Sequence, residues 1–455
     1  MQTEERHLEL PAYNTMEKIP AIAVIDAGKT NKKILVFDPD YRVLFEDSAV
    51  IPETTDEDGF PCEDIRALNE WLRASPGKAR FDERISLKAM NFSGYGASLV
   101  HIGRGGNLKR PLYNYLKPFK DEWRSHFETK HGSIRRISEE TASPDLGSLN
   151  SGMQLYRLAT FDDAFRNEVS YSLHLPQYLS WFFSGRAVSE ITSIGCHTML
   201  WDFNKGKYHS WVESEKLNDF FAPFHFGERP VTSDVEEHGL IFGTGLHDSS
   251  ASMIPYLKMG GEKFVVLSTG TWTICLNPFN KEPLTSAELE KDCLSYLTPY
   301  RDPVKASRFF SGPAHDLILK KISDHFNSIP DTSKQRFNRE WHDAAQQQLD
   351  ISRCQSPEEA YQRLMWLFML ELKKSMDLSI GKTGIQRVCV DGGFSRNEIF
   401  LQLLARAYPE LDIYAAAVPQ ASAIGAAMIL EGIWNPEPPA LGLVELRYVP
   451  GNYPR

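Results

Sequence analysis

The chain has 455 residues, 42% of them hydrophobic and 24% charged, with 26 Phe, 17 Tyr and 9 Trp available for cores. At about 150 residues per domain this predicts two or three domains, and it excludes a single small module and a globally disordered chain. Fifty basic against 60 acidic side chains give a net charge of −10, so the surface repels a polyphosphate backbone and nucleic acid is not an expected partner. The six cysteines, Cys62, Cys196, Cys275, Cys293, Cys354 and Cys389, have neither CxxC nor CxxH spacing. That argues against a zinc knuckle or a secreted disulfide framework and for a reducing, cytoplasmic setting. Residues 1–20 carry four glutamates and no apolar stretch, which reads as a short leader and not as a signal peptide. No later run approaches the roughly 20 apolar residues of a membrane span.

In chain order, the apolar run 21–25 ends at Asp26, a glycine-containing turn follows, and a second apolar run, 34–37, is closed by Asp38-Pro39-Asp40. This predicts a β-hairpin whose tip is 26–32. A strand over 42–45 and a helix over 63–74, with Ile65, Leu68, Trp71 and Leu72 on one face, continue an α/β pattern. Around Phe264 the design recurs: the run 264–267 leads into Ser268-Thr269-Gly270-Thr271 and then the run 272–276. Two such units predict a duplicated fold, divided at Lys258-Met259-Gly260-Gly261 into 21–258 and 259–455. A long helix is expected over 357–378, burying Ala360, Leu364, Leu367, Phe368, Leu370 and Leu372. A buried strand, 386–390, turns at Asp391-Gly392-Gly393 into a helix starting near Ser395, whose hydroxyl is expected to cap it. A strand over 411–416 and a small-residue helix over 421–430 follow, with Ala423, Gly425, Ala426 and Ala427 permitting close packing.

Four segments carry chemistry. In AVIDAGKTNKKILVF turn amides would cradle a phosphate while Asp26 holds hydrated Mg2+, although the same pattern also makes an ordinary Asx turn. FVVLSTGTWTICL offers backbone donors for a terminal phosphate, or a tight hairpin whose threonines cap their own backbone. VCVDGGFSRNEIF puts bare Gly392-Gly393 backbone where a strand meets a helix, suited to a ring or phosphate, and it lacks the dinucleotide fingerprint. In IFGTGLHDSSAS Asp248 is either a general base or a helix N-cap, and His247 either a substrate contact or a hydrogen-bonded core histidine.

Together and in the order DAGKTN, GLHD, LSTGTW and DGGFSRN, from Asp26 to about Ala427, these segments resemble the FGGY carbohydrate kinases of the sugar kinase, Hsp70 and actin superfamily. The resemblance implies two ribonuclease-H-like α/β domains with a cleft between them. It implies that Asp26, Gly28 and Thr30 form the first phosphate hairpin, with Lys29, Asn31 and Lys33 beside them and Asp26 near Mg2+ through water. Asp248 matches the general base and lies beside the metal, and His247, Tyr95 and Gly96 line the sugar side. Gly270 and Thr271 match the γ-phosphate hairpin, Gly392, Gly393 and Asn397 the adenosine motif, and residues 423–427 the small-residue helix beside it. Within the family, Thr30-Asn31 and the LSTGTW string look most similar to L-fuculose kinases, with L-rhamnulose kinases close behind, and SGYGASLVHIGRGGN (93–107) resembles their sugar-side segment. Two departures stand out: Gly96 replaces a usual acid, and Lys29 replaces a small or hydroxyl residue, where it either binds phosphate or is an exposed turn lysine. The GRGG stretch, 103–106, reads as a hairpin tip.

The implied reaction is ATP- and Mg2+-dependent phosphorylation of a ketose or deoxyketose such as L-fuculose or L-rhamnulose. The implied partners are the sugar and ATP, with a homodimer expected and neither nucleic acid nor membrane. A xylulose, ribulose or polyol kinase is the alternative within the class. A non-catalytic sugar or nucleotide sensor, favoured had Asp26 or Asp248 been missing, and an Hsp70-like or actin-like ATPase, which would lack the GLHD and YGAS segments, are the alternatives outside it.

Overall fold

The computed structural model describes residues 18–80, 83–231, 239–331, 335–342, 350–418, 420–438 and 443–450. The expected leader, 1–20, falls almost wholly outside these residues.

The first sheet is built on β1 (Ile19–Ala27), β2 (Lys32–Phe37) and β3 (Val43–Ala49), an antiparallel meander. Helix α1 (Ile65–Arg80) then returns the chain to β4 (Ile85–Gly94), which runs parallel to β1. The short β5 (Ile241–Phe242) and β6 (Leu246–His247) extend β4, again in parallel. The unbroken apolar run of β1 follows from burial on both faces. Ala21, Ala23 and Ile25 pack with Leu68, Trp71 and Leu72 of α1. Ile22 and Val24 point the opposite way, into a cluster with Ala423, Ala426 and Ala427. Strand pairing continues to Ala27 and Lys32, so the hairpin tip narrows to 28–31.

The second sheet repeats the plan. Strands β7 (Phe264–Thr269) and β8 (Thr273–Asn277) form a hairpin, and β9 (Cys293–Leu297) and β10 (Pro303–Phe309) add antiparallel strands in the order β9-β10-β8-β7. Beyond β7 lie β11 (Arg387–Gly392) and β12 (Asp412–Ala417), both parallel, and then the antiparallel β13 (Glu445–Tyr448). The order β3-β2-β1-β4-β5 in one sheet thus matches β10-β8-β7-β11-β12 in the other, sense for sense. This is the geometric content of the duplication inferred from the two hairpins.

Helix α2 (Ser311–Phe326) starts beside the second hairpin, and α3 (Pro357–Ile380) and α4 (Glu398–Ala407) cover the outer face of this sheet. On α3 the buried stripe runs through Tyr361, Met365, Phe368, Met369, Leu372 and Met376, whereas Leu364, Leu367 and Leu370 remain partly exposed. The i, i+4 spacing of Tyr361, Met365 and Met369 decides the face, and counting leucines alone misplaces it. The α4 cap is also corrected. Asn397 accepts the Phe400 amide, while Ser395 instead donates its hydroxyl to the Gly392 carbonyl within a short 3-10 turn.

The sheets meet through α5 (Ala421–Met428), which packs on β1, β4 and α6 (Asp248–Ser252). A Cβ on Gly425 would lie 1.9 Å from the Ala251 carbonyl oxygen, so only glycine allows this approach. Asn91 of β4 donates to the Ala426 carbonyl at 2.6 Å and accepts the Gly245 amide at 3.1 Å, tying α5 to the segment that leads into Asp248. Among the described residues no helix is long and apolar enough to cross a membrane.

Candidate active site

Two hairpin tips, 28–31 and 270–272, close the β1–β2 and β7–β8 pairs. The first is braced from behind by Lys32, whose buried ammonium donates to the carbonyls of Gly28 (2.7 Å) and Lys29 (3.2 Å) and pairs with Glu63. Lys29 pairs with Glu53 at 2.8 Å, and Lys33 donates to Glu46 and Gln420 at 3.3 Å each. All three lysines are thus held by carboxylates, while Thr30 and Asn31 stand exposed at the tip. The second tip is anchored by Thr273 donating to Ser311 (2.8 Å), Ser311 to the Gly270 carbonyl (3.2 Å) and the Gly312 amide to the Thr271 carbonyl (2.9 Å). This leaves Gly270, Thr271 and Trp272 exposed.

Asp26 ends the apolar run of β1, on the face shared with Ile22 and Val24, and accepts the Ser422 hydroxyl at 2.8 Å in the first turn of α5. Burial, and secondarily the charge of Asp248, raise its carboxyl above the ordinary value against the hydrogen bonds of Ser422 and Ser93. Asp248 opens α6. Its Oδ1 accepts the Ser249 amide at 2.6 Å, its side chain is one-third exposed at 34%, and desolvation by its surroundings pushes its pKa up to about 6. The Nε2 of His247 lies 3.4 Å from that oxygen and its Nδ1 lies 3.3 Å from the Ser250 hydroxyl. Burial lowers the His247 pKa to about 4, so the imidazole is neutral beside the carboxylate.

Gly96 lies against these groups. A Cβ there would meet His247 Nε2 at 3.0 Å and His197 Cε1 at 3.2 Å, so two imidazoles fill the space where an acidic side chain would stand. His197, His247 and Tyr296 of β9 form a mutual ring cluster with centroids 5.4–6.2 Å apart. Tyr95 is buried, edge-on to the Tyr115 ring at 5.9 Å and 5.7 Å from the Lys32 ammonium, and burial with the nearby charge of Glu63 holds its phenol well above the ordinary value. His247 is fixed through its backbone, whose amide donates to the Thr192 hydroxyl at 3.0 Å, and Thr192 in turn donates to Glu190. Glu190 is fully buried, which pushes its carboxyl up to about 8.

The ends of β11 and β12 open on a cavity of about 690 Å3, lined by Asp391, Gly392, Gly393, Arg396, Ala417 and Arg447 among others. Gly392 has a positive φ of 84°, and a Cβ on it would lie 2.0 Å from the Thr269 carbonyl oxygen, so glycine is required where β11 crosses the end of β7. The Thr269 hydroxyl donates to the Asp391 carbonyl and accepts the Phe394 amide, locking the turn. Asn397 does not line this cavity: its amide donates to the Tyr361 hydroxyl and its oxygen caps α4.

Residues 261–438 match the domain family described as carbohydrate kinase FGGY, C-terminal domain. Over these residues the chain resembles an FGGY carbohydrate kinase, and its overall fold is that of solved sugar kinase structures. It is similar to a carbohydrate kinase from Novosphingobium aromaticivorans, with 23% identity, 95% of each chain covered and a TM-score of 0.75. It also resembles a xylulose kinase from Rhodospirillum rubrum (13% identity, 95% and 94% covered, TM-score 0.76) and a Plasmodium falciparum glycerol kinase with ADP (13%, 92% and 90%, 0.73). At these identities the likeness is one of fold. No curated protein sequence matches significantly.

Several residues near Asp248 and the two hairpins escape a reading of the sequence. Lys32 looks like one more turn lysine until Glu63 is folded against it. His197 and Tyr296 sit in unremarkable segments; the helix Ile191–Ile194 sets His197 beside His247, and the packing of β9 on that helix brings Tyr296 to both. Arg308 of β10 also reaches this side: it pairs with Asp292, lies 5.1 Å from the Trp272 ring centroid, and its charge helps depress the pKa of His197 after burial and the charge of His247. A cysteine-histidine pair at 196–197 was the one local signal for this cluster.

Proposed function

We propose that the chain phosphorylates a hydroxyl of a ketose or deoxyketose, of the L-fuculose or L-rhamnulose type, with ATP in the cytoplasm. The observation that carries this reading is Asp248, a carboxylate poised near neutrality at the mouth of the cleft, next to a neutral imidazole and within charge range of Asp26. With a pKa of about 6 it is ionised at pH 7 yet basic enough to accept a hydroxyl proton, the match that general-base catalysis needs. His247 orients the acceptor and donates or accepts without competing for the proton. Tyr95 and Gly96 shape the acceptor side, Gly96 by admitting the two histidines.

Gly28, Lys29, Thr30, Asn31 and Lys33 border the donor phosphates at the first hairpin, and Gly270 and Thr271 present backbone donors to the terminal phosphate at the second. The nucleoside occupies the cavity at Gly392 and Gly393, with Asn397 holding the helix behind it. Asp26 and Asp248 fit a hard divalent cation: both carboxyls are pushed upward by burial, and the charge of Asp248 adds to the cost at Asp26. Mg2+ bound there, through water at Asp26, supplies charge neutralisation for the transferring phosphoryl group. We place the division between the halves at 258/259, and closure of 21–258 on 259–455 excludes water from the transfer.

The test is a panel of ketoses, including fuculose, rhamnulose, xylulose and ribulose, assayed for sugar-dependent ADP release. Strong preference for a 6-deoxyketose supports the assignment. Preference for xylulose or ribulose moves the substrate to the alternative within the class, and sugar-independent ADP release removes the kinase reading.

A further inference from the structure

On the inner side of Asp248 the fold gathers a second set of donors. The Cys196 sulfur and ring nitrogens of His197 and His247 lie within 4.8 Å of one another. They come from two chain segments: Cys196 and His197 follow the short helix Ile191–Ile194, and His247 ends β6. Cys196 and His247 are almost completely buried, and His197 is buried with them at the cluster. The Nδ1 atom of His197 is sheltered and has no hydrogen-bond partner, an unusual state for a buried polar atom. Cys196 makes only a weak sulfur donation to the Ser193 carbonyl at 3.3 Å. Gly96 keeps the space beside both rings free of a side chain.

One sulfur and two imidazole nitrogens are a soft to borderline donor set, suited to Zn2+ or Co2+ and poorly suited to Mg2+, which takes oxygen ligands. We propose that Cys196, His197 and His247 form a binding site for a thiophilic divalent cation, separate in chemistry from the Mg2+ of phosphoryl transfer. Binding forms a metal–sulfur bond and releases the Cys196 thiol proton to solvent. The fourth position falls to water or to Asp248, whose Oδ1 stands 3.4 Å from His247 Nε2. The consequence for activity rests on the acceptor-site reading above: an ion that engages His247 fixes the ring and draws on the neighbouring carboxylate, so zinc inhibits the kinase.

The binding itself is tested without reference to turnover. The full chain, stripped of transition metals and kept in excess Mg2+, is dialysed against Co2+, and bound metal and its absorption spectrum are measured. The expected result is one Co2+ per chain with an intense thiolate-to-cobalt band. The band vanishes in Cys196→Ser, and affinity falls by about tenfold or more in His197→Gln. Substoichiometric binding by the wild-type chain, a spectrum with no thiolate band, or the same band in Cys196→Ser overturns the site; the wild-type spectrum decides even where a variant folds poorly. In a second arm Zn2+ inhibits the wild-type kinase, while Cys196→Ser keeps basal activity and escapes inhibition. Stoichiometric binding without inhibition keeps the metal site and counts against Asp248 as the base.

Discussion

Asp248→Asn separates the chemistry of the proposed base from everything else the residue does. The asparagine oxygen still accepts the Ser249 amide, the 2.6 Å bond that starts α6, and the side chain fits the same volume. What it loses is the charge and the proton acceptor. Loss of a positioned base costs about 10²–10⁴ in rate, or roughly 3–5 kcal/mol of transition-state stabilisation. The cavity at Gly392 and Gly393, the proposed nucleotide site, is built from other elements, so the KM for ATP stays within about twofold while kcat falls, the signature of an interaction made only in the transition state. The pH profile adds an independent check. With the wild-type carboxyl at about 6, kcat/KM falls on the acid side of that value because protonation removes the base, and the residual activity of Asp248→Asn lacks this limb. The assay is coupled ADP release against sugar concentration across pH. A variant keeping more than about a tenth of wild-type kcat, or an acid limb unchanged by the substitution, refutes the reasoning.

Three further outcomes follow from named contacts. Asp26→Ala lowers kcat and raises the Mg2+ concentration needed for half-maximal turnover while leaving metal-free nucleotide binding nearly intact; an unchanged Mg2+ titration would make Asp26 only a turn residue. Gly425→Ala forces a Cβ to within 1.9 Å of the Ala251 carbonyl oxygen, and costs about 2 kcal/mol or more, roughly 4–8 °C in the unfolding midpoint. Gly432→Ala, with nothing within 4 Å of the added carbon, serves as the tolerated control, and equal midpoints for the two would contradict the close helix contact. Glu190→Gln matches the wild-type chain in stability near pH 4, where the carboxyl is protonated both in the folded protein and in the unfolded chain. Its folded value of about 8 lies above the unfolded one of about 4.3, so wild-type stability falls as pH rises between the two and levels off above about 8, and the variant is the more stable already at pH 7. Parallel denaturation curves for both proteins across that range would show that Glu190 is not the buried neutral acid described.

The parts of the fold legible in the sequence are those in which local chemistry and the global plan agree. The two hairpins announce themselves as apolar runs broken by a polar, glycine-containing turn. The parallel strand β11 and the small-residue helix α5 are equally plain, because a buried strand and a close helix contact each restrict composition. On α3 the expected Ala360, Phe368 and Leu372 are buried, while Leu364, Leu367 and Leu370 stay partly exposed because methionine and tyrosine fill core positions as well as leucine does. Ser395 was assigned the cap because a serine near a helix start suits the role, but the intervening 3-10 turn moves the true cap to Asn397. At the site, Asp26, Asp248 and Gly392 stand at strand or helix ends, where sequence signals punctuation. His197, Tyr296, Arg308 and Lys32 stand inside ordinary segments, and nothing local marks them. Tyr296 and Arg308 gain their roles when β9 and β10 come against the segments of His197 and His247, and Lys32 when Glu63 folds onto it, long-range contacts that no local pattern encodes.

The central claim is that this cleft moves a phosphoryl group from ATP to a sugar hydroxyl. Its most direct test follows both products of one reaction by mass spectrometry, with the preferred ketose, ATP and Mg2+, in the wild-type chain and in Asp248→Asn. The account predicts phosphosugar and ADP in equal amounts from the wild-type chain, and neither above background from the variant. ADP formed together with inorganic phosphate in place of phosphosugar, at a rate indifferent to sugar and to Asp248, would contradict it.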